Sequence, residues 1–267
     1  MNILVCVKQV PDTDELKLNT ETNVLVRDGV TNILNPYDSY ALEAAARIKD
    51  ADPDTKIVVL TMGPDAAEAA VKECLAIAAD KGYRVTDDAF AGSDVLGTSY
   101  ILAKAIAKVE EAEGKFDAIF CGKQSADGDN AQVGPQLAER LGYAQVTGCL
   151  EAEVDGDVLK LVKEVDAGTD VIGVKTPCVA TFDKPAWDPR YPTIKRKMAA
   201  RKAVVPVLTA ADLVDLDVDK VGAKGAITKV KASFAPAKKE GGIRIQEEDG
   251  AASGLKLFGE LHAAGVI

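Results

Sequence analysis

IVVLTMGPDAAEAAVKECLAIAADKGYRVT, residues 57–86, carries the reading of the fold. Residues 57–62 form a continuous apolar run, rich in β-branched side chains, of the kind a strand needs when both of its faces are covered. Gly63-Pro64 breaks that run. An alanine-rich stretch then reaches about Ala79 with helical spacing, and a shorter strand follows near 83–86. Strand, turn, helix, strand is the unit of a parallel sheet. Moving outward, the same rhythm continues on both sides. Upstream, ILVCV at 3–7 is another doubly buried strand, and Asn35-Pro36 opens a helix with Tyr40, Ala41, Ala44, Ala45 and Ile48 on one face; Asn35 suits the cap and Pro36 the first helical position. LKL at 16–18 and VLV at 24–26 read as a small β excursion between them. Downstream come a helix over about 93–112, a buried strand at 118–121, a polar loop from Gly122, and a helix over about 131–141. The expected fold is α/β, doubly wound, with a mostly parallel, Rossmann-like sheet.

Beyond Gly142 the pattern changes. Residues 145–182 read as strands with turns at 155–157 and around 166–170, a small antiparallel section. From about 206 the chain is turn-rich and sparsely apolar until an amphipathic stretch at 253–264. Such a segment buries little alone and is expected to lie on another surface. This divides the chain into an α/β domain at 1–205 and a C-terminal arm at 206–267.

Composition excludes several kinds of chemistry. The chain has 267 residues, 47% of them hydrophobic, and a single histidine, His262, near its end. A Ser-His-Asp triad or a multi-histidine metal centre is therefore not expected. The net charge of −10 argues against a general nucleic-acid binder. Five cysteines (Cys6, Cys74, Cys121, Cys149 and Cys178) stand 28 or more residues apart, without a C-x-x-C, so no zinc ribbon or iron–sulfur cluster is indicated. They read as buried reduced thiols, which suits a cytoplasmic protein. MNILVCV lacks the basic start of a signal peptide, and no apolar run approaches the length of a membrane span.

In an open parallel sheet, ligands bind beyond the carboxyl ends of the strands, where the strand order reverses. Residues 6–8, 35–38 and 62–64 could reach that place, as could the long loop GKQSADGDNAQVGP at 122–135. In that loop Gly122, Gly128 and Gly134 would let backbone approach a ligand, and residues 130–134 lead into a helix N-terminus, where N–H groups and the helix dipole favour phosphate. Asp127 and Asp129 would repel phosphate, so one is expected to face ribose hydroxyls and the other to cap the loop. No G-x-G-x-x-G follows a strand, no Walker A glycine precedes Gly122-Lys123 at position 117, and no G-x-S-x-G is present. An adenine-nucleotide domain is the favoured reading, and a plain polar loop is the bland one. A hydrolase built on Asp127 or Asp129 lacks a visible nucleophile or metal cluster.

DKPAWDPRYPTIKRKMAARK, residues 183–202, holds seven basic and two acidic residues, a local +5. Such a run is usually a solvated face. Here Trp187, Tyr191, Ile194 and Met198 are interleaved with the charges, and aromatic, Met and Arg side chains are the types enriched at protein interfaces.

Taken jointly, VCVKQVPDT at 5–13, RDGVTNILNPYDSYALE at 27–43, MGP at 62–64, CGKQSADGDNAQVGP at 121–135 and TPCVATFDKPAWDPRYPTIKRKMAARK at 176–202 resemble the β subunit of electron-transfer flavoprotein. The resemblance covers about residues 1–205; beyond, only the general character matches. It implies a heterodimer with an α subunit that carries the transferring FAD, while the β subunit holds AMP or a second FAD. By position, the nucleotide-binding residues would be Cys6, Asn35, Pro36, Tyr37, Asp38, Met62, Gly122, Lys123, Gln124, Ser125, Ala126, Asp127, Gly128, Asp129, Asn130, Ala131, Gln132 and Val133. Ala131-Gln132-Val133 in place of a more polar run is similar to the branch of anaerobes that holds FAD and bifurcates electrons; Asn130 stands where many relatives have Thr. In that branch NADH reduces the β-subunit FAD, one electron goes to ferredoxin or flavodoxin, and the other passes through the α-subunit FAD to an acyl-CoA dehydrogenase-like flavoenzyme. Such a chain is an electron-transfer subunit, not a stand-alone catalyst. The resemblance also assigns partner contacts to Glu164, Trp187, Arg190, Tyr191 and Ile194, with 183–202 as the partner-recognition loop. A nucleotide-sensing module similar to universal stress proteins is the competing reading, and it leaves 183–202 and the arm without a role.

Overall fold

The computed structural model describes residues 1–12, 17–18, 25–26, 30–229, 231 and 241–267. Apolar alternation along the first strand sets the layers. In β1 (Asn2–Val7), Ile3, Val5 and Val7 enter one core while Leu4 and Cys6 enter the other. Next come β2 (Gln9–Pro11), β3 (Lys17–Leu18), β4 (Leu25–Val26) and β5 (Asn32–Leu34). β3 pairs antiparallel with β4 and β2 with β5, which bears out the β excursion. Leu16 and Val24, the motif residues Thr13, Arg27, Asp28 and Gly29, and arm positions 230 and 232–240 lie outside the described residues.

The alternating part follows as α1 (Pro36–Ala51), β6 (Lys56–Met62), α2 (Glu68–Ile77), β7 (Lys81–Val85), α3 (Val95–Glu113), β8 (Ala118–Gly122) and α4 (Val133–Leu141). Asp94 caps α3 by accepting from the Gly97 N–H, and Gly142 ends α4 in a left-handed turn. After α4 the chain forms β9 (Ala144–Asp155), β10 (Val158–Val165), β11 (Gly168–Lys175) and β12 (Cys178–Phe182), with turns where the sequence places them. α5 (Ile194–Lys202), β13 (Val207–Leu208), the single-turn α6 (Gly222–Gly225) and α7 (Gly250–Ala263) complete the order.

One nine-stranded sheet runs β11-β10-β9-β12-β8-β1-β6-β7-β13. It is parallel from β9 to β13, and β10 and β11 extend it as an antiparallel hairpin. α1 and α2 cover one face, and α3 and α4 the other. The chain therefore winds from β1 towards β7, crosses back through α3, and resumes at β8 on the other side of β1. The strand order reverses between β1 and β8. Phe120 and Phe182, both fully buried with ring centroids 4.7 Å apart, hold β8 to β12 beside that point.

The sheet does not stop at residue 205. β13 adds its last strand, Leu213, Val221 and Ala226 are buried, and the Asp94 carboxylate accepts from the Ile227 and Thr228 N–H groups at 2.9 Å. What projects is α7, all of whose large apolar side chains are at least partly exposed.

Candidate functional site

At the carboxyl ends of β1 and β8 lies Asp38, in the first turn of α1. Its two oxygens accept the Lys8 N–H at 2.7 Å and the Gly122 N–H at 3.1 Å, so one carboxyl bridges the two strands between which the order reverses. Burial pushes its pKa up to about 7, against the lowering pull of those N–H donors. Gly122 is required by this latch: a Cβ there would stand 2.4 Å from the Asp38 carboxylate.

Asn35 does a different job from the one expected. Its carbonyl accepts the Asp38 N–H, but its side chain caps nothing on α1. The amide reaches across instead, donating to the Gln124 carbonyl at 2.8 Å and accepting the Ala126 N–H at 3.1 Å. A helix cap needs only its own N–H groups, whereas this geometry satisfies a loop that would otherwise lack partners.

The two loop aspartates both have partners within the protein. Asp127 binds the Lys8 ammonium with both oxygens, at 2.6 and 2.9 Å, and Asp129 accepts from the Gln124 side-chain amide at 2.7 Å. Both brace the loop. Gly134 makes room for protein: a Cβ there would lie 2.4 Å from Thr181 Cγ2, against the packing of α4 on β12.

What the loop does offer is backbone. Asp129 and Ala131 have φ of 49° and 53°, with Asn130 between them outside that region. Non-glycine residues in the left-handed region cost on the order of 1 kcal/mol each, and such strain collects at functional sites. Alternating handedness turns successive N–H groups into a concave nest suited to anions. The N–H groups of Asn130, Ala131, Gln132 and Val133 donate to no protein acceptor among the described residues, and they lead into the N-terminus of α4. With Asp127 paired to Lys8, the turn presents donors and helix dipole, and the remaining carboxylate there, Asp129, is held by the Gln124 amide.

Other predicted residues fall around this point. Cys6 and Cys121 are register partners on β1 and β8, both buried; the neighbouring Cys6 thiol and burial push the Cys121 thiol up. All five cysteines are free and buried. Met62 ends β6 half-buried, Tyr37 meets Tyr40 edge-on, and Lys123 pairs with Asp183 at 2.6 Å. The described residues hold no metal-binding cluster of His, Cys, Asp or Glu, and none of their helices is long and apolar enough to cross a membrane.

Residues 183–202 divide into two roles. Trp187 packs on the core with the Arg47 guanidinium 4.2 Å over its ring, and Arg190 binds Glu43 and Asp50, so both fasten the segment to α1. Arg196 donates to the Leu75 and Ala79 carbonyls at the end of α2. Tyr191 and Ile194, 92% and 80% exposed, stand out from this anchored base beside Met198. Glu164 lies apart from them, exposed on β10, on the wall of a cleft of about 570 Å³. That cleft, between the end of the 122–135 loop and β9–β10, was not foreseen: Lys163, Thr147 and Thr181 carry no local motif, and only the strand pairing brings them together.

Fold and site together define a doubly wound α/β domain with an anion-ready turn at its point of strand reversal. The electron transfer flavoprotein domain matches residues 22–213, and the chain belongs to the electron transfer flavoprotein family. It is 45% identical to the electron transfer flavoprotein subunit beta of Megasphaera elsdenii over 251 residues, 93% of each chain. Identity is 46% over 237 residues, 88% of each chain, to the subunit beta of Thermoanaerobacterium thermosaccharolyticum. It is 41% over 245 residues, 92% of each, to the caffeyl-CoA reductase-Etf complex subunit CarD of Acetobacterium woodii.

Proposed function

We propose that this chain is the β subunit of a heterodimeric electron transfer flavoprotein and binds FAD at the turn formed by residues 122–135. The observation that carries the reading is the unpaired N–H nest at 130–133, opening onto a cleft large enough for more than a mononucleotide. Likeness to a subunit of the caffeyl-CoA reductase-Etf complex supports the bifurcating branch. When bound, the flavin supplies hydride acceptance and one-electron transfer. The chain's own part is to hold and orient it. Asp38 and Asn35 fix the 122–126 backbone, Lys8 removes the Asp127 charge from the phosphate path, and the nest takes the phosphates.

On this reading the electron donor is NADH. Acceptors are ferredoxin or flavodoxin on one branch and, through the α-subunit FAD, an acyl-CoA dehydrogenase-like flavoenzyme on the other. Tyr191 and Ile194 are the contact for that flavoenzyme. Acid extraction and chromatography of the anaerobically purified heterodimer test the assignment. Two FAD per heterodimer are expected; one FAD with one AMP would select the non-bifurcating form instead.

A further inference from the structure

Three irregularities of the sheet converge on the wall of the 570 Å³ cleft. Between β9 and β12 the register slips past Thr181, and Gly148 adopts φ 71° with its N–H donating to Thr181 Oγ1 at 3.2 Å. Between β9 and β10 it slips again at Val162/Lys163, so that Lys163 stands opposite Cys149. Bulges of this kind re-aim side chains and collect beside binding sites. Here they turn Lys163 into the cleft, half-buried.

Two lysines line this cleft, and they differ. Lys123 is neutralised by Asp183 at 2.6 Å. Among the described residues the Lys163 ammonium has no ion-pair or hydrogen-bond partner; Glu164 and Asp166 share its wall but neither lies within ion-pair distance. A cation that lines a cleft without a counter-ion is placed to pair with an anionic or electron-rich ligand group. Ala131 and Pro135 form the opposite edge of the cleft, so it begins where the anion nest ends.

We propose that Lys163 is the specificity-determining cation of the site: it engages the part of a dinucleotide that extends past the adenylate, and so favours FAD over AMP. This rests on the reading of 122–135 as a nucleotide site and adds to it a residue on a different element. The test uses the heterodimer freed of its β-site nucleotide and titrated with FAD and with AMP separately, following bound FAD by its fluorescence and AMP by calorimetry. Lys163→Gln is expected to weaken FAD binding about tenfold, the size of one charge-assisted hydrogen bond, and to leave AMP binding unchanged. Lys163→Arg should restore most of the loss. If Lys163→Gln leaves FAD affinity unchanged, or weakens FAD and AMP alike, the assignment is overturned. A wild-type protein that takes AMP but not FAD overturns it as well, with the adenylate site standing. Wild-type protein that takes neither removes the nucleotide reading itself.

Discussion

At Asp38, a proton and two backbone N–H groups compete for the same two oxygens. The buried carboxyl titrates near 7 in the folded chain against an ordinary 3.8. A raised folded pKa means that its favourable contribution is complete below about 4 and lost as pH rises through about 7. Asp38→Asn cannot titrate, so raising pH from 5 to 8 should lower the wild-type Tm relative to that of the variant. A parallel shift of both proteins would show that Asp38 is ionised throughout. The variant should also be weaker at pH 5 by about 1–3 kcal/mol, since its amide nitrogen, unlike the hydroxyl oxygen of the protonated acid, cannot accept an N–H. Gly134→Val tests the other close approach. Steric contact with Thr181 should lower stability by about 1–3 kcal/mol, measured by denaturant midpoint. A loss of nucleotide without a loss of stability would return Gly134 to a ligand role.

Elements were legible where their signals were local. Apolar runs marked β1, β6 and β8; Asn35-Pro36 marked α1; and the turns at 155–157 and 166–170 marked the hairpins. The site was legible as a loop but not as a mechanism. Asn35 is a good cap by residue type, and only the approach of 124–126 to α1 shows why its amide points elsewhere. Lys163 was illegible because a one-residue slip against β9 determines where it points, and a slip leaves no mark in composition. The segment at 183–202 shows the same limit: seven cations looked alike, yet Arg190 and Arg196 are committed to α1 and α2. Arg190→Ala would leave the buried Glu43 carboxylate with only Arg47, at 3.3 Å, as its ionic partner. It should cost about 2–3 kcal/mol and expose 183–193 to limited proteolysis. Ile194→Asp should leave stability and nucleotide content unchanged while weakening the dehydrogenase complex; unchanged docking by surface plasmon resonance would reassign the contact.

For the whole molecule, acid resistance depends on the end of the sheet remote from the site. Burial opposes ionisation of Glu113, but hydrogen bonds from Lys56, Lys81 and Tyr83 override it and hold the carboxyl at about 2. A depressed folded pKa stabilises above the unfolded value and is lost as pH falls through the folded one. About 3 kcal/mol should therefore disappear between pH 4.5 and 2 in wild type. Glu113→Gln should lose that pH dependence and be less stable at neutral pH, as followed by circular dichroism. Equal acid midpoints for the two proteins would place acid sensitivity elsewhere.

The two arginine tethers under 183–202 have a consequence for timing. A free loop must lose conformational entropy each time it meets a partner, and that loss slows or weakens every encounter. Here the ordering was completed when the chain folded, with Arg190 fastened to α1 and Arg196 to α2. Tyr191 and Ile194 are already held out to solvent. On the proposed docking role, a visitor would bind them, leave and make way for the next without the surface having to be rebuilt between visits.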